Sequence, residues 1–474
     1  MHVPQRLRRT RVRRELRSPM RPGALLGPAL IGLTLIGVLA VAAACSTSDG
    51  ASETRTLTVP AQFGTVQDAV DATRPGDLVL ISPGVYREAV LVVTPDITIR
   101  GTDRNAVVLD GRGGLPSGIR VVDTGGVAVE NLTVRNYSVT GITWIAAAGF
   151  RASHVTVYDN KQRGIDVFDS VDGLVEQVWT SGSDEAGIHV AQCDPCRIVV
   201  DGATSSDNGV GVLVVNAGRE LQVVRSTVRS NRAGIALHST SYSLCAPQQG
   251  ATVAGNLVGP NGREDLTIGD VGIVANQSGI SVIGGRDNLI SGNRLLDHPQ
   301  FGIVVAPFPE LDANAPLPEE TEVGEPCRTR AFIPSSGRVA VTNWPATGNR
   351  ILDNVIVGSG LADLVVAALV PGAEPSDNCA SGNLAATTRP ADLQALAPCN
   401  GTATATDWGR DSYVVPDLDR KERRKLLEID EGVEPLRGPV PPPQAQLPDP
   451  AGSPAAPATD PPEPVDLTTL RVPS

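Results

Sequence analysis

The chain has 474 residues, of which 19% are charged and only 3% aromatic, with a formal net charge of −12. That acidic balance excludes nucleic acid and an anionic membrane surface as expected partners. Arginine far outnumbers lysine, which occurs only at Lys161, Lys421 and Lys425, and this bias carries no functional reading.

Residues 1–22 hold eight arginines and one glutamate, and residues 23–44 hold no charge. Small residues then run into a cysteine, Ala42-Ala43-Ala44-Cys45. A basic head, an apolar run and small residues predict an export signal over 1–44. Met20 is a second candidate start, because Met20-Arg-Pro and the apolar run already make a complete signal. The Cys45 junction resembles a bacterial lipobox, which implies lipidation at Cys45, although Ala42 stands where a larger aliphatic residue is usual. An uncleaved span is the alternative, since 22 apolar residues can cross a bilayer. Either way the remainder, after a short linker over 46–56, is expected outside the cytoplasm, and the lipobox reading anchors it by lipid to the outer face of the membrane.

From residue 57 the chain reads as one elongated domain to about residue 412. Thr65 is placed to cap a short helix whose Val66, Ala69 and Val70 share one side. That helix is expected to lid the open end of the repeat array that begins after it.

The repeat is carried by a glycine. Gly118-Ile, Gly141-Ile, Gly164-Ile, Gly187-Ile, Gly211-Val, Gly234-Ile, Gly279-Ile and Gly302-Ile are separated by 23, 23, 23, 24, 23, 45 and 23 residues. The 45-residue step reads as two coils, one blurred by an insertion. A fixed period of this size marks a solenoid. Each unit has short Val/Ile runs bounded by Gly, Asn and Asp, and nothing long enough for a helix of ten residues. The fold class is therefore an all-β solenoid of about 23-residue coils, a parallel β-helix. The glycine opens a strand where positive φ or close backbone approach is needed. Asn136, Asn160, Asp207 and Asn231 recur in the turns, where stacked amides can bond one another along the rod.

The opening over 57–88, the Ile97-Thr-Ile-Arg-Gly101 phrase and the Gly-Ile coils together resemble the right-handed parallel β-helix proteins of the pectin-lyase-like superfamily. The likeness covers roughly 57–370, and is nearest to bacterial surface β-helix proteins and periplasmic copper-binding accessory proteins. It is specific for fold and weak for activity.

Two insertions break the rhythm, at 239–271 and 306–347. The coil resumes after each, because Asn288-Leu-Ile-Ser-Gly-Asn matches Asn349-Arg-Ile-Leu-Asp-Asn. Residues 371–412 form an irregular cap, 413–434 a short helix or linker, and 435–474 a Pro-rich tail expected to be disordered. Beyond Cys45 six cysteines remain, an even number that suggests disulfides in an oxidising compartment. The expected pairs are Cys193–Cys196, Cys245–Cys327 and Cys379–Cys399.

Residues after each Gly alternate inward and outward. The outer column reads Arg120, Thr143, Asp166, His189, Leu213, Ala236, Ser281 and Val304, and is expected to face solvent. Vertical neighbours lie about 4.8 Å apart, so Asp166 should meet His189. Arg163, Asp184 and Glu185 lie in the adjacent turns. Catalytic candidates are therefore Asp166, His189, Arg163, Asp184 and Glu185. Chemistry at a uronic acid needs a cation, Arg163 or Arg120, and a base or acid, His189 oriented by Asp166. Asp184 and Glu185 offer two alternatives, a Ca2+ site or a glycosidase carboxylate pair; no other cofactor is expected.

The Asp-Pro-His-Asp pattern of uronate epimerases is absent. Both methionines fall in the head, so copper delivery lacks its soft ligands. Trp144, Trp179, Tyr137 and Tyr158 are the candidate sugar platforms, with Trp144 reading as core. Two functions remain open. One is a monomeric lipoprotein that binds polysaccharide or cell-surface glycan, with or without modifying it. The other is a non-catalytic scaffold whose inserted loops bind a protein.

Overall fold

A computed structural model describes residues 54–243, 245–266, 275–315, 337–370, 377–416 and 438–473. Each coil contributes three short strands in fixed order, such as Val127–Glu130, Thr133–Arg135 and Thr140–Ile145. Equivalent strands of successive coils pair in parallel. Among the described residues they form sheet A of twelve strands, sheet B of ten and sheet C of eleven.

The register stacks like on like. On sheet A, Ile99, Val129, Ala152, Val175, Val200, Val223, Val253, Ile290 and Ile351 stand directly opposite one another. All are buried inside the coil. Each such Val or Ile contributes roughly 1.5–3 kcal/mol on burial, which is why an inward column can hold a rod with few aromatic residues.

The expected helix is present at Val66–Asp71, with Thr65 accepting from the Asp68 amide at 3.0 Å and Val66, Ala69 and Val70 buried. The repeated glycines are required for close approach, not for positive φ. A Cβ on Gly164 would lie 2.6 Å from the carbonyl oxygen of Gly187 in the next coil. Positive φ falls instead on the corners, as at Asn131 (54°), His154 (51°) and Gln177 (51°) between sheets A and B.

The stacked amides are there too. The Asn208 amide donates to Asn231 Oδ1 at 2.9 Å, and the Asn231 amide to Asn261 Oδ1 at 3.0 Å. A second ladder runs Asn256, Asn293, Asn354, Asn383. Such ladders satisfy corner backbone groups that the strands leave unpaired.

Two expectations change, and the insertion at 306–347 gains a shape. The 45-residue step is one coil, since Ile235 pairs directly with Ile280 on sheet C. Residues 239–271 accordingly contain that coil's own strands, Thr252–Ala254 and Leu257–Val258. The second insertion forms an antiparallel hairpin, Phe308–Ala315 with Gly337–Trp344. Most of all, residues 438–473 are not a loose tail: they lie extended along the rod, fastened by its side chains. Prolines already hold that segment extended, so laying it down loses little backbone freedom.

Cys193–Cys196 and Cys379–Cys399 are paired as expected, the first with both sulfurs inside the core. The signal over 1–44, Cys45 and Cys327 lie outside the described residues, as does most of the 413–434 segment.

Candidate functional site

The site grows from register. On sheet C the strands Thr140–Ile145, Arg163–Phe168 and Ala186–Cys193 are successive rungs, and Thr143, Asp166 and His189 stand opposite one another. His189 Nδ1 lies 2.7 Å from Asp166 Oδ1. Thr143 Oγ1 donates to Asp166 Oδ2 at 3.2 Å, and Arg163 reaches Asp166 Oδ1 at 3.3 Å. Arg163 also forks onto Glu185 with bonds of 2.9 and 2.8 Å. Four of the five predicted residues thus form one network.

Its electrostatics follow from burial and charge. Burial raises the cost of ionising Asp166, yet the bond from His189 and the nearby His189 and Arg163 charges outweigh it. The carboxyl stays below its ordinary range. Burial likewise opposes the Arg163 cation, but Glu185 and Asp166 raise its pKa. Asp184 is the odd member: burial pushes its carboxyl up against the opposing charge of Lys161. Asp184 and Glu185 do not act as a matched pair, since both Glu185 oxygens are taken by Arg163. Among the described residues no cluster of three or more His, Cys, Asp or Glu is placed to hold a metal ion.

The outer column does not face solvent as expected. Arg120 is exposed, but Thr143, Asp166 and His189 are 3%, 8% and 3% exposed, and Leu213, Ala236, Ser281 and Val304 are also buried. For the later rungs the cover comes from outside the coil. Ala246, Phe308, Trp344 and Val415 pack over Leu213, Ala236 and Val304, making a second apolar core outside the coil. Periodicity within the coil could not show this, though the Phe308 and Trp344 pair flanking a Pro/Glu-rich stretch was its one sequence signal.

The polar network therefore sits where that covered patch ends, with Leu213 on the rung beyond His189 and exposed Arg120 on the rung before Thr143. With Nδ1 engaged by Asp166, Nε2 is the ring atom through which His189 can act. Three of the four aromatic platforms are covered: Trp144 and Tyr137 are buried in the core, Trp144 against Phe150, and Tyr158 is 5% exposed, whereas Trp179 on sheet B stays partly exposed.

Residues 96–258 match the family whose description is right handed beta helix region. The coil is a right-handed parallel β-helix. Solved β-helix structures align over much of the rod at low identity. An A-module of a mannuronan C-5 epimerase from Azotobacter vinelandii is 14% identical, covering 69% of this chain and 94% of its own, with a TM-score of 0.42. An alginate lyase from a Paenibacillus species is 16% identical over 71% and 96%, with a TM-score of 0.36. A PL6 family polysaccharide lyase from Pseudopedobacter saltans is 13% identical over 76% and 91%, with a TM-score of 0.39. No curated protein matches the sequence. The resemblance read from the sequence holds at the level of this β-helix fold.

Proposed function

We propose that this β-helix is an extracytoplasmic, lipid-anchored protein that binds an acidic polysaccharide across the outer face of sheet C, between Arg120 and His189. The observation that carries this reading is the buried His189–Asp166 pair beside a fixed cation, Arg163, with a solvent-facing cation, Arg120, two rungs from Asp166. An imidazole held by a carboxylate through Nδ1 presents Nε2 in a defined direction, the arrangement that proton transfer needs. Arg120 supplies attraction for a uronate carboxylate at the accessible end. Arg120 and His189 stand three rungs apart, about 14 Å at about 4.8 Å per rung, so a proton transferred at His189 would belong to a different residue of the bound chain from the one whose carboxylate Arg120 holds. Ala246, Phe308 and Trp344 of the inserted loops cover sheet C, so these three apolar residues are not offered to the protein partner of the scaffold reading.

The test is binding and turnover of uronate polymers by the wild type, His189→Ala and Arg120→Ala. Loss of turnover in the first with binding retained, and weakened binding in the second, is expected. A wild type that neither binds nor alters any polyuronate, neutral glycan or cell-wall preparation would leave the scaffold reading in its place.

A further inference from the structure

The C-terminal segment is fastened to the rod in an unusual way. It joins none of the three sheets. Its fastening is mostly by backbone, and the rod supplies the side chains that read it. Asn105 pairs with both backbone polar groups of Gln444, donating to its carbonyl at 3.1 Å and accepting from its amide at 2.8 Å. Gln222 does the same to Val465, at 3.2 and 2.7 Å. Between these clamps Asn131 Oδ1 accepts from the Leu447 amide at 2.8 Å, and Thr98 Oγ1 from the Ala456 amide at 2.9 Å.

The carbonyls are read as well. Arg104 donates to that of Ala445 at 2.9 Å, and Arg100 to those of Ser453 at 2.8 Å and Pro454 at 3.0 Å. Arg151 donates to that of Ala456. Arg100 and Arg151 are aimed by a shared buried carboxylate, Glu130. Beyond them Val465, Leu467 and Leu470 pack on an outward apolar patch of sheet A, Val199, Val224 and Ala254.

The sequence of the segment matches this reading. Prolines occupy 441–443, 448, 450, 454, 457, 461, 462 and 464, and have no amide hydrogen to offer. The amides that the rod reads, at Gln444, Leu447, Ala456 and Val465 through side chains and at Ala458 through the Gly126 carbonyl, fall on the residues between them. A proline-rich chain keeps its backbone extended and solvated, so its carbonyls and sparse amides are what a groove can recognise. The fit is also incomplete, with a cavity of about 190 Å³ between Phe150, Arg151 and Leu174 on the rod and Pro457 and Pro462 on the segment.

We propose that the outer face of sheet A and its corner with sheet B form a peptide-binding groove that reads the backbone of an extended proline-rich chain, with residues 444–470 of this chain as its resident, displaceable ligand. The groove is distinct from the network on sheet C. It is built of fixed side chains, and its ligand enters as a preformed extended strand, held at high effective concentration by its covalent link.

The test cuts that link. A specific protease site is placed between residues 416 and 438 of the full chain, the folded protein is cleaved, and the fragment is followed by gel filtration on dilution. Reversible dissociation is expected, with the rod keeping its β-sheet spectrum and labelled fragment rebinding saturably. Asn105→Ala and Gln222→Leu together should speed dissociation at least tenfold, and Ala456→Pro in the fragment should weaken rebinding by a similar factor. A fragment that stays until the rod melts would make the segment part of the core and overturn the proposal. So would a rod that unfolds on losing it, or rebinding indifferent to all three substitutions.

Discussion

Glu310 accepts a hydrogen bond from Trp344 Nε1 at 2.7 Å, across the two strands of the hairpin that covers sheet C. The same carboxylate takes the Ser241 amide at 2.9 Å, the Ser241 hydroxyl at 3.0 Å and the Thr240 hydroxyl at 2.9 Å. One side chain, 4% exposed, thus ties the two insertions to each other over the rod. Removing it orphans several buried donors at once. Glu310→Ala is expected to cost about 3 kcal/mol in chemical denaturation and Glu310→Gln clearly less, since the amide keeps one acceptor. Equal stability of all three proteins would mean that the insertions are held together by other contacts.

Two buried histidines set a pH dependence. Burial lowers His238 and His298 to about 4, so both are neutral in the folded protein at mild acid pH. An unfolded histidine takes up its proton near pH 6.5. The unfolded chain therefore binds more protons between about 6.5 and about 4, and stability should fall as pH drops through that window. Each histidine accounts for on the order of 3 kcal/mol. Asp166, held below its ordinary value, adds a further loss only at lower pH, where carboxylates protonate. Urea denaturation at pH 7 and pH 5 checks the direction, and His238→Leu should flatten the slope.

The glycine column makes a steric prediction. Gly164→Ala places a Cβ against the Gly187 carbonyl and should destabilise by roughly 1–3 kcal/mol through overpacking. Gly114→Ala, with open space around the new methyl and no positive φ, should be close to neutral. Thermal unfolding of the pair separates a close-approach requirement from a general intolerance of substitution.

For the network on sheet C, Asp166→Asn keeps the shape but removes the charge that orients His189. If turnover of a polyuronate is established, that variant should lose about 100-fold or more in kcat with KM little changed. Arg120→Ala should show the opposite split. A nitrogen-15 spectrum of the imidazole gives a readout apart from activity, because losing the carboxylate should shift the Nδ1 resonance.

Much of this was legible beforehand because a coil is a local object. A 23-residue period with Gly-Ile at its start decides which residues point inward, and parallel stacking then decides vertical neighbours. Asp166 and His189, 23 positions apart, could be paired from spacing alone. The capping helix and the Cys193–Cys196 bridge needed only a few residues each. The 45-residue step misled because a coil with enlarged corners keeps its rungs but loses its period.

What the linear order of residues determined by itself was the column, its rungs and the meeting of acid and imidazole, because each comes from a repeat shorter than thirty residues. What only the tertiary structure decided was how the outer faces are covered. Phe308, Trp344 and Ala246 reach sheet C from segments with no period, and their burial depends on distant partners. The final segment reaches sheet A through backbone groups, which every residue carries alike, so its composition could not announce that Arg100, Arg104 and Gln222 would hold it.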